Sequence, residues 1–369
     1  MAGIYIHIPF CKQKCTYCDF ASYPKEIGKA EAYFACLLTE IDARAEQLKD
    51  KTFSTLYFGG GTPSFVKAEF IGACVNRIKK NFNLTKDAEI TIEVNPGTLT
   101  KEKVDIYNSV GINRYSIGLQ SASDERLRSL NRIHTAEEFL FACNLLKGKN
   151  ISVDVMVGLK DQKNEEIQQT IDLAILGGAK HISVYALTPE EGTPMFTTYL
   201  NGELPDADQT AELYDFARTY LEAKGFERYE VSNFSLPGYH SKHNLNYWKR
   251  GEYIGLGVAA SSCINNRRFT NTEKIDEYTH CLLNGFYAEV FSEQIEDSEI
   301  KNEYIMLALR TASGISLKDY NETFGSDFLT EFKQEVALER DYLDIDEFSV
   351  RIKDDYLFVQ NQIIVNFLK

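Results

Sequence analysis

Apolar positions along the chain switch repeatedly between two periods. Ile4-Tyr-Ile-His-Ile8 alternates like a strand at the start of the chain. Over 27–48 the residues Ile27, Ala30, Phe34, Leu37, Leu38, Ile41, Ala45 and Leu48 fall mostly three or four apart, which predicts an amphipathic helix. The strand Thr55-Leu-Tyr-Phe58 follows, then the turn Gly59-Gly60-Gly61-Thr62-Pro63 and a helix over 67–80. Ile90-Thr-Ile-Glu-Val94 alternates again and breaks at Asn95-Pro96-Gly97. The same order then recurs. A helix near 100–110 leads to strand Arg114–Gly118, and a helix over 135–147, stopped by Gly148, leads to strand Ser152–Met156. A helix over 163–176 ends at Gly177-Gly178, a pair suited to a left-handed cap, and strand His181–Tyr185 follows. Six strand and helix units predict a parallel sheet with right-handed crossovers. Periodicity leaves open whether the sheet is wound flat or rolled towards a barrel.

Beyond this repeat lie a helix over 206–224, the segment Tyr229–Phe234, a polar and aromatic cluster from His240 to Trp248, and the glycine-rich Gly251–Gly257. Near residue 296 the character changes to a polar stretch, an apolar run over Tyr304–Arg310 and two further helical segments, with a closing hairpin expected around Leu357–Val365. A length of 369 residues accommodates about two to three domains. Boundaries are expected at 1–200, 201–295 and 296–369. Hydrophobic residues at 44% and charged residues at 25% fit a soluble globular protein. A net charge of −14 disfavours a nucleic-acid surface, because long-range attraction to phosphate needs cations. The chain enters a strand directly after Met-Ala-Gly, and no apolar run reaches the roughly 20 residues that span a bilayer, so a cytoplasmic protein is expected.

Three thiols change the picture most. Cys11, Cys15 and Cys18, spaced C-x3-C-x2-C, can converge on one metal centre, and sulfur ligands favour zinc or an iron–sulfur cluster. Zinc would need a fourth ligand, such as His7, whereas a cluster with one unligated iron keeps that iron open to a ligand. Cys36, Cys74, Cys143, Cys263 and Cys281 are scattered and read as reduced core thiols. Tyr5, Gly60, Gly61, Thr62, Glu93, Gln120, Arg132 and Asp154 all fall in predicted strands, at their ends or in the loops that follow. Structural readings remain open for several: Glu93 capping the next helix, Asp154 pairing with a buried base, and the glycines forming only a turn.

The triplet after a first strand, with the aromatic Tyr17 before the last cysteine, resembles the signature of the radical S-adenosylmethionine (SAM) superfamily. That resemblance implies a partial (β/α)6 barrel, a 4Fe-4S cluster held by Cys11, Cys15 and Cys18, SAM on the open iron, and an electron donor for the cluster. Several segments narrow it to the coproporphyrinogen-dehydrogenase-like branch. They are Ile6-His-Ile-Pro-Phe-Cys11, Phe58-Gly-Gly-Gly-Thr-Pro-Ser64, Glu93-Val-Asn-Pro96, Arg114-Tyr-Ser-Ile-Gly-Leu-Gln-Ser121, Arg132-Ile-His134 and Asp154-Val-Met-Val-Gly-Leu159. The likeness implies that Tyr5, Gly61, Glu93 and Ala186 surround the cluster-bound SAM. It implies that Tyr17, Thr62, Gln120, Arg132 and Asp154 surround a second SAM. The glycine amides of the turn are expected to approach the methionyl carboxylate, with Glu93 accepting from its ammonium. The last domain resembles the winged-helix-like tail of the branch.

His243-Asn-Leu-Asn-Tyr-Trp248 resembles the HNxxYW motif of the branch's haem-binding members, in which the histidine is implicated in haem binding. Read from its residues alone, the segment is equally a polar turn packing an aromatic plug, with His243 satisfied by hydrogen bonds. Three functions compete: a haem chaperone passing haem to client haem proteins, an oxygen-independent coproporphyrinogen III oxidase, and a zinc-stabilised interaction scaffold. Two departures favour the chaperone over the enzyme. The oxidase pattern continues C-x-C after the triplet, whereas Asp19 is followed by Phe20, and only ten residues precede Cys11 where the oxidase carries a long arm.

Overall fold

The computed structural model describes residues 1–369. Strands β1 (Ala2–Ile8), β2 (Thr52–Gly60), β3 (Asn83–Val94), β4 (Arg114–Gln120), β5 (Asn150–Val157) and β6 (His181–Ala186) lie side by side in chain order, every pair parallel. Helices α1 (Ala30–Gln47), α2 (Ala68–Asn81), α3 (Lys101–Val110), α4 (Asp124–Ser129), α5 (Ala136–Leu145) and α6 (Asn164–Leu176) make the crossovers. All six predicted units are present. α4 is the unpredicted addition: it is six residues long and buries only Leu127, too little for an apolar period to register.

The sheet does not close. After α7 (Pro194–Leu200) and α8 (Ala207–Ala223), the short β7 (Glu227–Arg228) and β8 (Asn233–Ser235) extend it beyond β6, running antiparallel. The outer neighbour of β1 is β9 (Tyr253–Leu256), which follows α9 (Lys242–Trp248) and runs parallel to it. From there β10 (Ser261–Ile264), β11 (Arg267–Asn271) and, after α10 (Ile275–Leu283), β12 (Glu289–Gln294) continue antiparallel. Since β1 and β6 never pair, the barrel is partial and open on one side.

Strand alternation places the chemistry. Ile4, Ile6, Leu56, Phe58, Ile90, Ile92, Ile117, Val153, Val155, Ile182 and Val184 belong to the main core, which they share with the crossover helices. The intervening residues, among them Tyr5, Tyr57, Glu93, Ser116, Asp154 and Ser183, face the opposite way, because successive side chains on a strand point to opposite sides. Full barrels fill that interior with bulky apolar layers. Here it is polar, and hydrogen bonds cross it: Tyr57 Oη donates to Glu93 Oε1 at 2.9 Å, and Ser152 Oγ meets His181 Nδ1 at 2.8 Å.

Helix ends follow local chemistry. Thr135 and Glu138 form a capping box at α5, and Asp206 and Gln209 form another at α8. Gly178, at φ +86°, supplies the left-handed residue after α6, while Gly177 before it stays right-handed at φ −68°.

A second core begins in α11 (Asp297–Ala308) and gathers Ile305, Leu309, Tyr320, Phe332, Val350 and Phe367. Three short antiparallel strands join its helices, so this region is not purely helical. The expected terminal hairpin is corrected: residues Asp354–Val359 and Gln360–Val365 are helical, and the hairpin lies earlier, at Leu343–Ile345 and Ser349–Ile352. Leu357, Ile363 and Ile364 bury at helical spacing, a pattern that a short apolar run does not distinguish from a strand. No helix is long and apolar enough to cross a membrane.

Candidate functional site

The loop after β1 carries the thiols over the carboxyl ends of the strands. Backbone bonds pin it in place: Thr16 N donates to Leu130 O at 3.2 Å, Met195 N to Thr16 O at 2.9 Å, and Tyr23 N to Pro9 O at 2.7 Å. Cys11, Cys15 and Cys18 line one cavity of about 520 Å³ together with Tyr17, Gly60, Gly61, Thr62, Glu93, Gln120, Arg132, Asp154 and Ala186. Of the expected SAM residues only Tyr5 stands elsewhere, in the wall of the adjoining chamber. Burial raises the Cys11 and Cys18 thiols above their ordinary range, an effect opposed at both by the Ser22 hydroxyl.

No three His, Cys, Asp or Glu side chains come close enough to cage a single metal ion. His7, the candidate zinc ligand from the first strand, is engaged at both nitrogens, through Tyr5 Oη at 3.1 Å and the Ala21 carbonyl at 2.8 Å. His7 is therefore not free to serve as a fourth zinc ligand in this structure. Three thiolates that each take a different iron of a cluster need not converge as ligands of one ion do, and Cys11, Cys15 and Cys18 line one common cavity.

Two amides of the glycine turn bond to the cysteine loop, while the Gly60 amide reaches Glu93 in the cavity. Gly61 N donates to Ile8 O at 2.8 Å and Thr62 N to Phe10 O at 2.8 Å, so these amides stitch the turn to the cysteine loop and are not available to a ligand carboxylate. What the turn provides is close approach. A Cβ on Gly59 would lie 2.9 Å from Glu93 Oε1 and 3.0 Å from the Tyr57 ring. Gly59→Ala is expected to push the Glu93 carboxylate aside and weaken SAM binding about tenfold, with little loss of thermal stability, checked by equilibrium binding and melting of the same sample.

Two carboxylates face this space. Burial raises Glu93 to about 7, against which the Tyr57 hydrogen bond acts, and nearby Asp154 raises it further. Asp154 is likewise raised by burial, to about 6, opposed by Ser183, Arg114 and Arg132. Both are poised to gain from a cation. Opposite them, Arg132 donates from Nη1 to Cys15 Sγ at 3.5 Å and from Nη2 to Gly118 O at 2.6 Å, leaving Nε buried without a partner. Gln120 Oε1 is also buried without a partner, and Gln120 holds φ +69°, a strained region for a side chain of its kind. Unmatched polar groups, two carboxylates and an arginine fit a zwitterionic, polyhydroxylated ligand such as SAM.

The elevated Glu93 pKa has a stability consequence. Because the folded value lies above the ordinary 4.5, ionising Glu93 destabilises the ligand-free chain as pH rises through 4.5 to about 7. Glu93→Gln is expected to raise ligand-free stability at pH 8 by about 2 kcal/mol and to leave it nearly unchanged at pH 4, measured by denaturant melts.

Beside this cavity lies a chamber of about 740 Å³, sharing Phe20, Gly60, Glu93 and Tyr185 with it. Tyr57, His243, Tyr247 and Tyr253 form much of its wall, and Met306 and Leu307 of α11 close it from the second core. It occupies the neighbourhood of the open side of the barrel, where α9 packs against β1, β2 and α11. Ser241 caps α9 through Asn244 N at 3.3 Å, and Glu89 accepts from Lys242 N at 3.1 Å and His243 N at 3.0 Å.

His243 itself is 1% exposed. Its Nδ1 meets Thr55 Oγ1 at 2.8 Å, its Nε2 meets Tyr247 Oη at 2.9 Å, and its ring stacks on Tyr57 at 5.0 Å. Burial, with Arg114 adding to it, lowers its pKa to about 3. In this structure His243 is a hydrogen-bonded wall residue, and an axial bond to haem would require one of its two ring bonds, to Thr55 or to Tyr247, to break. Tyr57, Tyr185, Arg250, Arg268 and Glu303 are site residues that sequence reasoning missed. For Tyr57 the available signal was its inward register beside Tyr5.

A strand-ordered partial barrel with a cysteine loop over its carboxyl ends defines a radical SAM protein, and the radical SAM superfamily model matches residues 5–174. A model of the HemN C-terminal domain matches residues 296–354. The chain is 32% identical to heme chaperone HemW of Buchnera aphidicola over 92% of this chain and 91% of that one. It is 35% identical to heme chaperone HemW of Escherichia coli K12, over 84% and 82% of the two chains. Among solved structures, coproporphyrinogen III oxidase (HemN) of Escherichia coli superposes with a TM-score of 0.86 at 21% identity, covering 100% of this chain and 90% of that one, a likeness of fold. Within the radical SAM superfamily, the chain belongs to the family of heme chaperone HemW.

Proposed function

We propose that this protein binds haem in the chamber beside His243 and delivers it to haem proteins, carrying a 4Fe-4S cluster on Cys11, Cys15 and Cys18 and SAM in the adjoining cavity. The observation that carries the reading is the shared wall: a large aromatic chamber abuts the thiol-lined cavity through Gly60, Glu93 and Tyr185. A reduced cluster with SAM bound supplies one-electron radical chemistry. This chain's own residues do the rest. Glu93 and Asp154 accept from cationic and hydroxyl groups, Arg132 offers its free Nε, and Tyr57, Tyr247 and Tyr253 present flat apolar surface to a macrocycle. His243 holds Tyr57 and Tyr247 in that wall by stacking and hydrogen bonding.

Phe20 supports the chaperone over the oxidase. It stands 63% exposed, bordering both spaces, in the stretch where the oxidase pattern carries a fourth cysteine. The test is anaerobic reconstitution with iron and sulfide, followed by separate additions of haem and coproporphyrinogen III. Stable haem binding, weakened about tenfold or more by His243→Ala through loss of the wall, with no porphyrinogen turnover, is the expected result. Conversion to protoporphyrinogen would establish the oxidase instead.

A further inference from the structure

One end of the large chamber holds two arginines and a glutamate. Arg250 and Arg268 line it, at the end remote from the cysteines: Tyr253 pairs with Gly3 at the start of β1, Cys263 pairs with Tyr253, and Arg268 pairs with Cys263. In a chain of net charge −14, two guanidinium groups in one cavity wall need an anionic counterpart. The chain supplies one from its second core. Glu303 of α11 accepts from Arg250 Nε at 2.8 Å through Oε2 and from Arg268 Nη2 through Oε1. Arg268 Nη1 also donates to Glu293 at 2.9 Å, and Arg250 Nη1 donates to Asn266 at 3.0 Å. Arg250 Nη2 is buried without a partner, and Arg250 holds φ +53°, uncommon for a residue with a side chain.

A carboxylate held between two guanidinium groups is the arrangement by which proteins grip carboxylate ligands. Met306 and Leu307, three and four residues beyond Glu303, lie on the same helix face and line the same chamber. One face of α11 therefore presents both the charge that occupies the arginines and the apolar surface beside it.

We propose that Arg250 and Arg268 form a carboxylate subsite for the ligand of this chamber, that Glu303 fills it while the chamber is empty, and that a ligand carboxylate displaces Glu303 and loosens α11. This rests on the chamber being a porphyrin site, since haem carries two propionates on one edge of an apolar macrocycle. The propionate edge points to the arginines and the macrocycle lies along Tyr57, Tyr247 and Tyr253. Uptake of haem thereby breaks an ionic latch between the barrel and the second core.

The test compares haem with haem dimethyl ester, in which the macrocycle is unchanged and the propionates are blocked, on the reconstituted full-length protein. Native protein is expected to bind haem about tenfold or more tighter than the diester, the effect of charge-assisted hydrogen bonds. Arg268→Gln removes that preference. Glu303→Gln tightens haem several-fold and leaves the diester unchanged, and haem but not the diester speeds hydrogen exchange in α11. Equal binding of haem and diester by the native protein overturns the subsite while leaving the haem chamber intact. Failure of both to bind overturns the chamber and the subsite together. A Glu303→Gln protein that binds haem no tighter than native overturns the displacement.

Discussion

Cys11→Ser, Cys15→Ser or Cys18→Ser protein is expected to leave anaerobic reconstitution without the broad absorption near roughly 400 nm that the native protein acquires from its cluster. The three sulfurs share one cavity wall, and no set of three His, Cys, Asp or Glu side chains offers an alternative metal-binding group. Loss of any one therefore leaves two protein ligands to the cluster, and a serine hydroxyl is a poor replacement for a soft thiolate. Cys36→Ser or Cys74→Ser serves as the control: both thiols are buried in the main core and lie outside either cavity, so stability falls while the absorption remains. Iron analysis alongside the spectrum separates the two effects. Full iron content in Cys15→Ser protein would show that the loop is not the cluster site.

The second large effect concerns pH. In the proposed site the ammonium of SAM faces Glu93, near 7 in the ligand-free chain, with Asp154, near 6, in the same cavity wall. The sign follows from these values. Both groups are ionised at pH 8. As pH falls through 7, Glu93 takes up a proton first, Asp154 follows near 6, and each lost charge removes an attraction. SAM affinity is expected to be flat above pH 8 and to fall about tenfold per pH unit below 7, steepening below 6. Glu93→Gln protein loses about a hundredfold at pH 8, in line with removal of a buried charged partner, and the bend near pH 7 disappears from its profile. Calorimetric titration across pH 5–9 measures this, and an unchanged profile in the variant would remove Glu93 from the ligand's contacts.

These residues were legible because each breaks a pattern. Glu93 and Asp154 interrupt apolar strands at inward positions, and glycines after β2 and cysteines after β1 are conspicuous where a strand ends. The six-unit repeat was legible for the same reason, since strict alternation on one face and helical spacing between strands leave little choice of element. Less could be read where partners are remote. β9 runs beside β1 although some 250 residues separate them, and a four-residue strand carries almost no period of its own. Tyr57 escaped because tyrosine suits either face of a strand, and only its bond to Glu93 and its stack on His243 mark it as part of the site.

His243 illustrates the opposite limit. Its motif shows the aromatic neighbours that follow it, but Thr55, which takes its Nδ1, comes from β2. Local sequence could not decide between a ligand and a hydrogen-bonded plug. Likewise Arg250 and Arg268 look like solvated charges until Glu303, from a separately packed core, is placed between them.

Transfer of haem to an acceptor is the decisive property. Protein loaded with one equivalent of haem is mixed with a haem-free acceptor haem protein, beside a control containing the same amount of free haem bound to serum albumin. The acceptor's Soret band is expected to grow as this protein's declines, faster than from the albumin control, and His243→Ala protein, with its chamber wall broken, is expected to fail to retain haem for delivery. Haem that stays on this protein, or that reaches the acceptor no faster than from albumin, would contradict a delivery role.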